Sequence, residues 1–389
     1  MTAPLRLKLK KSLRSAIEAG HPWIYAGALQ ALPVAEPGMA CQIFDRQGFV
    51  ASGIYEPDAN IAVRVWSTNE AERPDDVSVI EARLRRAAAL RARVVPRDVE
   101  AFRLVHGEAD RLPGWQIDRY QDVLVVRTDG LAAEARLPLL VDAVRRAAPA
   151  VRALVHRRNR RRGGTAEICF GAIDEALVCR EHHWQMEADV LQGQKTGWFI
   201  DQRENRRRVF ELARGQRVVN VFCYTGGFSL AAALGGAREV TSVDISGPAI
   251  AAAQRNFALN GLDPAEWTFV TADAFDWLTE RAPDTADLVI IDPPSFAPNR
   301  QALPKAIRAY RRLFTAGLQM LSPNGLLAAA SCSSHIDDSQ FARIVHEAAS
   351  QAGTQIQILE RAGAGPDHPV LPAFPEGSYL KFLVCARLD

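Results

Sequence analysis

No run of 18 or more apolar residues occurs in this chain of 389 residues, so no segment is written to cross a bilayer as a helix. The opening MTAPLRLKLKKSLRS carries charge but no apolar signal core, and a cytoplasmic protein without a membrane partner is the expectation. Close pairs of cysteine are also missing. Cys41, Cys169, Cys179, Cys223, Cys332 and Cys385 are scattered without zinc-ligand spacing, and a chain of this length does not depend on disulfide staples. They read as reduced thiols, with no metal site expected. Excess charge of one sign is absent too, the net being only +2. Basic residues nevertheless cluster in Arg157, Arg158, Arg160, Arg161 and Arg162, and again in Arg206 to Arg208. Such a cluster is either a solvated loop or a grip on phosphates.

The length exceeds one ordinary hydrophobic core, so several domains are expected. Residues 1–73 hold short alternating runs separated by turn signals, which reads as a small all-β unit. A helix is expected from Asp76 to Arg93, with Val77, Ile80, Leu84, Ala87 and Leu90 on one face. It opens a middle α+β unit over 74–190, in which strands Trp115–Asp118, Val123–Thr128 and Val151–His156 surround a helix Glu134–Ala147. Residues 191–389 alternate strand and helix, beginning with strand Arg217–Phe222 and continuing to a helix at Asp338–Ala352. That alternation predicts a seven-stranded, doubly wound, Rossmann-like α/β sheet.

The strand ending in Phe222 feeds Cys223-Tyr224-Thr225-Gly226-Gly227 before a helix opens at Phe228. Adjacent glycines let backbone approach a ligand, and the turn lies where open α/β sheets bind ligands. The fingerprint G-x-G-x-x-G is not there, which disfavours a nicotinamide cofactor. Asp244, ending the second strand, suits ribose hydroxyls, and Asp273 with Ala274 after the third suits the adenine. Together these signals predict a class I methyltransferase domain using S-adenosylmethionine.

The fourth strand runs into Asp292-Pro293-Pro294-Ser295-Phe296, similar to the substrate-base loop of nucleic-acid and amino methyltransferases. The fifth runs into Cys332-Ser333-Ser334-His335, which would bring Cys332 beside Asp292. Carbon 5 of a pyrimidine is a poor nucleophile until a thiolate adds at carbon 6. On its own, a strand-end cysteine is more often inert packing, and the chemistry is not readable from the thiol alone.

The chain resembles, over nearly its whole length, the RlmI-like family of 23S rRNA cytosine-C5 methyltransferases with an N-terminal PUA domain. The resemblance rests on His21-Pro22-Trp23, Leu112-Pro113-Gly114, Asp118-Arg119-Tyr120, the segment Gln194 to Arg206, Tyr224 to Phe228, Asp292 to Phe296 and Ser331 to His335. It implies S-adenosylmethionine bordered by Lys195, Thr196, Gly197, Phe199, Asp201 and Arg203 together with Phe222, Tyr224, Thr225, Gly226 and Gly227. It further implies Cys332 as nucleophile with Asp292 beside it, large-subunit ribosomal RNA as partner, and a homodimer. Where another branch carries a second cysteine after D-P-P, this chain has Ser295, which leaves the base for the carbon-5 proton unassigned. The RRNRRRGG stretch from Arg157 departs from the family's less basic segment. A guanine-N7 rRNA methyltransferase and an RNA-binding protein with a vestigial methyltransferase fold remain as alternatives.

Overall fold

The computed structural model describes residues 3–158, 165–297 and 299–389. The chain forms two compact units: Met1–Cys179 with Ala188–Ile200 and Pro366–Gly377, and Arg180–Glu187 with Asp201–Gly365 and Ser378–Asp389.

In the first unit, β1 (Leu5–Lys8), β2 (Trp23–Tyr25), β3 (Ala40–Asp45), β4 (Gly48–Tyr55) and β5 (Ile61–Ser67) form a sheet in the order β1-β3-β4-β5-β2. Alternation along β3 buries Cys41 and Ile43, which meet Val50, Tyr55 and Val63 in one core. A short helix α1 (Arg14–Glu18) interrupts what the sequence reads as all β. Helix α2 (Val77–Val94) starts where Asp76 accepts the Ser78 amide at 2.8 Å, and it buries Ile80, Leu84 and Ala87. A second five-stranded sheet follows, in the order β10-β9-β8-β7-β6. Its strands are β6 (Ala101–His106), β7 (Trp115–Tyr120), β8 (Val123–Thr128), β9 (Ala153–Arg157) and β10 (Ala166–Phe170).

The single helix expected over Glu134–Ala147 is two, α3 (Leu131–Ala135) and α4 (Leu137–Ala147). Pro138 sits in the first turn of α4, where a missing N–H costs nothing, and the chain breaks at Arg136 before it. The Arg136 guanidinium is buried and donates to the carbonyls of Gly38, at 3.0 Å, and Pro74. A ribbon of β11 (Leu177–Glu181) and β12 (Trp184–Ala188) carries the chain onward.

The second unit holds α5 (Arg203–Leu212), β13 (Arg217–Val221), α6 (Gly227–Leu234), β14 (Glu239–Asp244), α7 (Gly247–Leu259), β15 (Thr268–Thr271) and α8 (Ala274–Thr279). It continues through β16 (Ala286–Ile291), α9 (Leu303–Met320), β17 (Leu321–Ser331), α10 (Asp338–Ala352), β18 (Ile356–Ala362) and β19 (Lys381–Arg387). The seven strands order as β15-β14-β13-β16-β17-β19-β18. Five are parallel, and β19 lies antiparallel to both β17 and β18. The continuous apolar run in β16 reflects burial on both faces, with Leu288 to Ile291 inaccessible to solvent. The chain leaves β13 first toward β14 and later returns to β16 on its other side. This reversal opens a crevice at the carboxyl ends of the strands.

Candidate active site at the carboxyl ends of the sheet

Two side chains in the turn after β13 hold left-handed backbone, Phe222 at φ 59° and Tyr224 at φ 48°, followed by Gly226 at φ 78°. Non-glycine residues in this region are strained and persist where their surroundings fix them. Here the fixing contacts are the Tyr224 amide on Asp244 (2.9 Å), the Cys223 amide on the Val243 carbonyl (3.0 Å) and the Asn256 amide group on the Thr225 carbonyl (2.9 Å). Protein neighbours crowd both glycines as well, Gly226 the more tightly. A Cβ on Gly226 would lie 2.8 Å from Ala253 Cβ, and one on Gly227 would lie 3.0 Å from Arg206 Cδ.

Asp244 takes the amides of Tyr224 and Ser246 on different oxygens, each at 2.9 Å, and remains half-buried. Its neighbour Ile245 is 70 % exposed, an apolar side chain left uncovered at a strand end. Asp273 caps α8 through the amides of Phe275 (2.8 Å) and Asp276 (3.3 Å), with Ala274 buried behind it. A carboxylate with free lone pairs beside an uncovered aliphatic side chain suits a ribose carrying a flat base. The donor set therefore fits a nucleoside cofactor such as S-adenosylmethionine. The sequence reading missed Ile245, although an apolar residue directly after a strand-end acid was the available signal.

The loops that carry Asp292 and Cys332 leave neighbouring parallel strands, with Ile291 paired to Ala329 in register. Asp292 accepts from Gln202 Nε2 at 2.9 Å, and Gln202 in turn accepts from Asn205 at 2.5 Å. Cys332 is half-buried, and the residues either side of it are clamped. The Tyr310 hydroxyl lies 3.0 Å from both Ser331 Oγ and Ser333 Oγ, and Ser333 Oγ is 3.1 Å from Ser295 Oγ. Ser295 thus ties the D-P-P loop to the cysteine loop. Burial raises the Tyr310 phenol above its ordinary range. By contrast Cys223, though close to the cofactor turn, is buried and its thiol is pushed far up, leaving it inert. Asp201 accepts from the Tyr379 hydroxyl at 2.6 Å, and Arg203 is fully buried with its Nε on Glu204 at 3.1 Å.

The other residues singled out in the sequence fall in the first unit. Thr196 donates to Asp118 (2.6 Å) and meets the Tyr120 hydroxyl (2.9 Å), while Asp118 is held by Arg103 at 2.5 Å. Lys195, at φ 50°, places its ammonium 4.2 Å from the Phe199 ring centre, and Gly197 takes φ 148°. Arg157 is buried and donates to the carbonyls of Leu191 and Gly193, the latter at 2.5 Å. Arg158 is exposed and pairs with Glu134 and Glu167 at 3.3 and 3.2 Å. Arg160, Arg161 and Arg162 lie outside the described residues. Among the described residues, no three His, Cys, Asp or Glu are grouped to hold a metal, and no helix is long and apolar enough to cross a membrane.

A family profile for S-adenosylmethionine-dependent methyltransferases matches residues 123–383, and one for PUA-like domains matches 7–68. A ribosomal RNA large subunit methyltransferase from Deinococcus radiodurans is 39 % identical over 97 % of this chain and 96 % of its own. The ribosomal RNA large subunit methyltransferase I of Salmonella arizonae is 36 % identical over 98 % and 97 %. This chain belongs to their family of S-adenosylmethionine-dependent methyltransferases. A SAM-dependent methyltransferase structure from Streptococcus mutans superposes with a TM-score of 0.86 at 23 % identity, covering 98 % of this chain and all of that one. A second solved structure, of a methyltransferase complexed with SAH, gives the same TM-score and identity over 99 % of this chain. The family's cofactor is S-adenosylmethionine, in agreement with the donor set after β13 and β14. The fold class read from the sequence, a Rossmann-like methyltransferase sheet behind a PUA-like β unit, holds.

Proposed function

We propose that this methyltransferase forms 5-methylcytidine in large-subunit ribosomal RNA, with Cys332 as nucleophile. The observation that carries the reading is a half-exposed thiol at the end of β17, on the strand beside the one that delivers Asp292. The relatives' names supply the RNA class, and the thiol supplies the base. Cys332 would add to carbon 6 of the pyrimidine, making carbon 5 nucleophilic. Asp292, oriented by Gln202, would deliver a proton to ring nitrogen 3 as the thiolate adds, neutralising the negative charge placed on the ring. When the carbon-5 proton of the methylated adduct leaves to a base or water, the sulfur would be expelled from carbon 6 as thiolate. The cofactor supplies an electrophilic methyl group when bound. Asp244 and Ile245 would hold its ribose and adenine, Asp273 and Ala274 the adenine edge, and Phe222, Tyr224, Thr225, Gly226 and Gly227 its amino-acid end. Lys195, Thr196, Gly197, Phe199, Asp201 and Arg203 would border it, as the resemblance implies.

In this reading residues 1–73 form an RNA-binding PUA-like domain and 74–190 a middle domain ahead of the catalytic one at 191–389. Arg158 with Arg160, Arg161 and Arg162 would meet phosphates; Arg157, expected among them, is instead buried on the carbonyls of Leu191 and Gly193. The enzyme would act in the cytoplasm as a homodimer, a state that light scattering measures.

Incubation with labelled S-adenosylmethionine and unmodified ribosomal RNA, followed by mass spectrometry of the nucleosides, tests the reading. It predicts 5-methylcytidine, and 7-methylguanosine in its place would refute it. Cys332→Ala should lose turnover while binding the cofactor normally.

A further inference from the structure

In the register of β17 against β19, Lys381 stands opposite Ser331. It opens the strand KFLVCAR, apolar from Phe382 to Ala386, and is only 2 % exposed. Burying an ammonium is costly unless its donors are used. Lys381 Nζ donates to the Ser333 carbonyl at 2.6 Å and to the Tyr379 carbonyl at 2.8 Å. Its backbone thus pairs with the residue before Cys332, and its charge sits on the carbonyl of the residue after it.

Other groups face this region from each packed element. Asp337 and Asp338 lie at the start of α10, the Tyr310 hydroxyl on α9 lies against Ser331 and Ser333, and Asp292 bears on Tyr310 from the loop after β16. Burial pulls the Lys381 ammonium below its ordinary range, while Asp338, Cys332 and Asp337 act to keep it charged.

We propose that Lys381 is a positioning residue for Cys332: it fixes the path of Ser331 to Ser333 and stabilises the sulfur as thiolate. The inference rests on the nucleophilic role proposed above. Ionisation breaks the S–H bond, and the proton leaves to water through the exposed side of the residue. The sulfur keeps the electron pair that would form the bond to the pyrimidine. A neighbouring cation lowers a thiol below its free value of about 8.5. None of the other five cysteines has a comparable setting, since Cys41, Cys179, Cys223 and Cys385 are buried and Cys169 is pushed up by burial beside Glu167.

The test is iodoacetamide alkylation of the full chain between pH 6 and 10, read at the Cys332 peptide by mass spectrometry. The wild-type thiol should titrate below about 8.5. Lys381→Met should move that midpoint up by about one unit and slow alkylation at pH 7 about tenfold. Lys381→Arg should restore most of the shift, with cofactor affinity unchanged in both variants. A wild-type midpoint at or above about 8.5 overturns the proposal, and that measurement decides the matter even where Lys381→Met fails to fold. Coincident profiles for Lys381→Met and wild type also overturn it, as does an arginine variant that behaves like methionine. Turnover by Cys332→Ala, run in parallel, would instead remove the nucleophilic reading and leave the alkylation comparison standing.

Discussion

Ser295 Oγ lies 3.1 Å from Ser333 Oγ, so the loop that presents Asp292 and the loop that presents Cys332 share a hydrogen bond. At the position where a related branch carries a second cysteine, this chain has a tether. The bond is a neutral one between hydroxyls, worth about 1 kcal/mol net. Ser295→Ala should lower kcat several-fold and leave cofactor affinity unchanged. A double-mutant cycle with Ser333→Ala, read in kcat/KM, should show a coupling of about 0.5–1.5 kcal/mol. Strict additivity would mean that the two loops position their side chains independently.

Asp292 is oriented through a chain of amides, Asn205 to Gln202 to carboxylate, with an Asn205 branch to the Gly363 carbonyl at 3.2 Å. Asp292→Asn keeps the size and loses the proton-delivering carboxyl. Single-turnover methylation should slow by about 10²–10³, the scale of removing one preorganised group that stabilises transition-state charge. Gln202→Ala should cost less, because the carboxylate remains but loses one donor. Cofactor binding measured by calorimetry should be nearly unaffected in both.

Asp244 has the opposite profile. Its two oxygens already organise the turn through the amides of Tyr224 and Ser246, so Asp244→Ala would remove the proposed ribose contact and loosen Tyr224 at φ 48°. The loss of about 1–3 kcal/mol should weaken S-adenosylmethionine binding roughly tenfold to hundredfold. Fluorescence or calorimetric titration would measure it. An unchanged Kd would exclude Asp244 from the cofactor site.

Much of this site was legible because the second unit obeys local rules. Strand β14 ends at Asp244 and helix α10 spans Asp338–Ala352 as the sequence implies, and α10 carries its own punctuation: Asp337 accepts the Gln340 amide at 2.7 Å, and Gly353 ends the helix at φ 72°. Strand ends in an alternating α/β chain then place Asp244, Asp292 and Cys332 at one edge of the sheet. What escaped was contact made across sequence distance. Lys381 reads as an ordinary charge at the head of an apolar strand until the antiparallel register sets it opposite Ser331. The charge-rich helix α5 hides its inward side, on which Arg203, Asn205, Arg206 and Val209 are buried. Arg206 to Arg208 read as one basic cluster, yet Arg206 is buried on Glu181, while Arg207 and Arg208 pair with Glu211.

That buried pair sets the largest stability prediction. Arg206 Nε and Nη2 donate to the two oxygens of Glu181 at 2.6 and 2.7 Å, and the Glu181 side chain is 0 % exposed. Removing one partner leaves the other charge without compensation in a low-dielectric site. Arg206→Met should therefore destabilise the protein by about 3–5 kcal/mol. Replacing both, with Glu181→Leu added, should recover much of the loss. Denaturant melts of the three variants would show it, and equal losses in single and double variants would contradict the account.

A different ion pair should govern the acid limb of stability. Arg217 opens β13 and reaches Asp287 in the adjacent β16, its backbone amide at 2.9 Å and its guanidinium at 3.1 and 2.8 Å, with Ser322 adding a bond at 2.9 Å. The Arg217 hydrogen bond is the main cause that holds the Asp287 carboxyl well below the usual carboxylate range, and burial opposes it. Because the folded-state value is depressed, the stabilisation is fully present above the unfolded value of about 3.9 and is lost as pH falls through the folded value. Asp287→Asn should accordingly lower Tm at pH 7 and keep the same deficit down to about pH 5. Below about pH 4 the deficit should narrow, since the wild type alone loses this contribution. A Tm difference that stays constant from pH 7 to pH 3 would show that the carboxylate adds nothing that titrates.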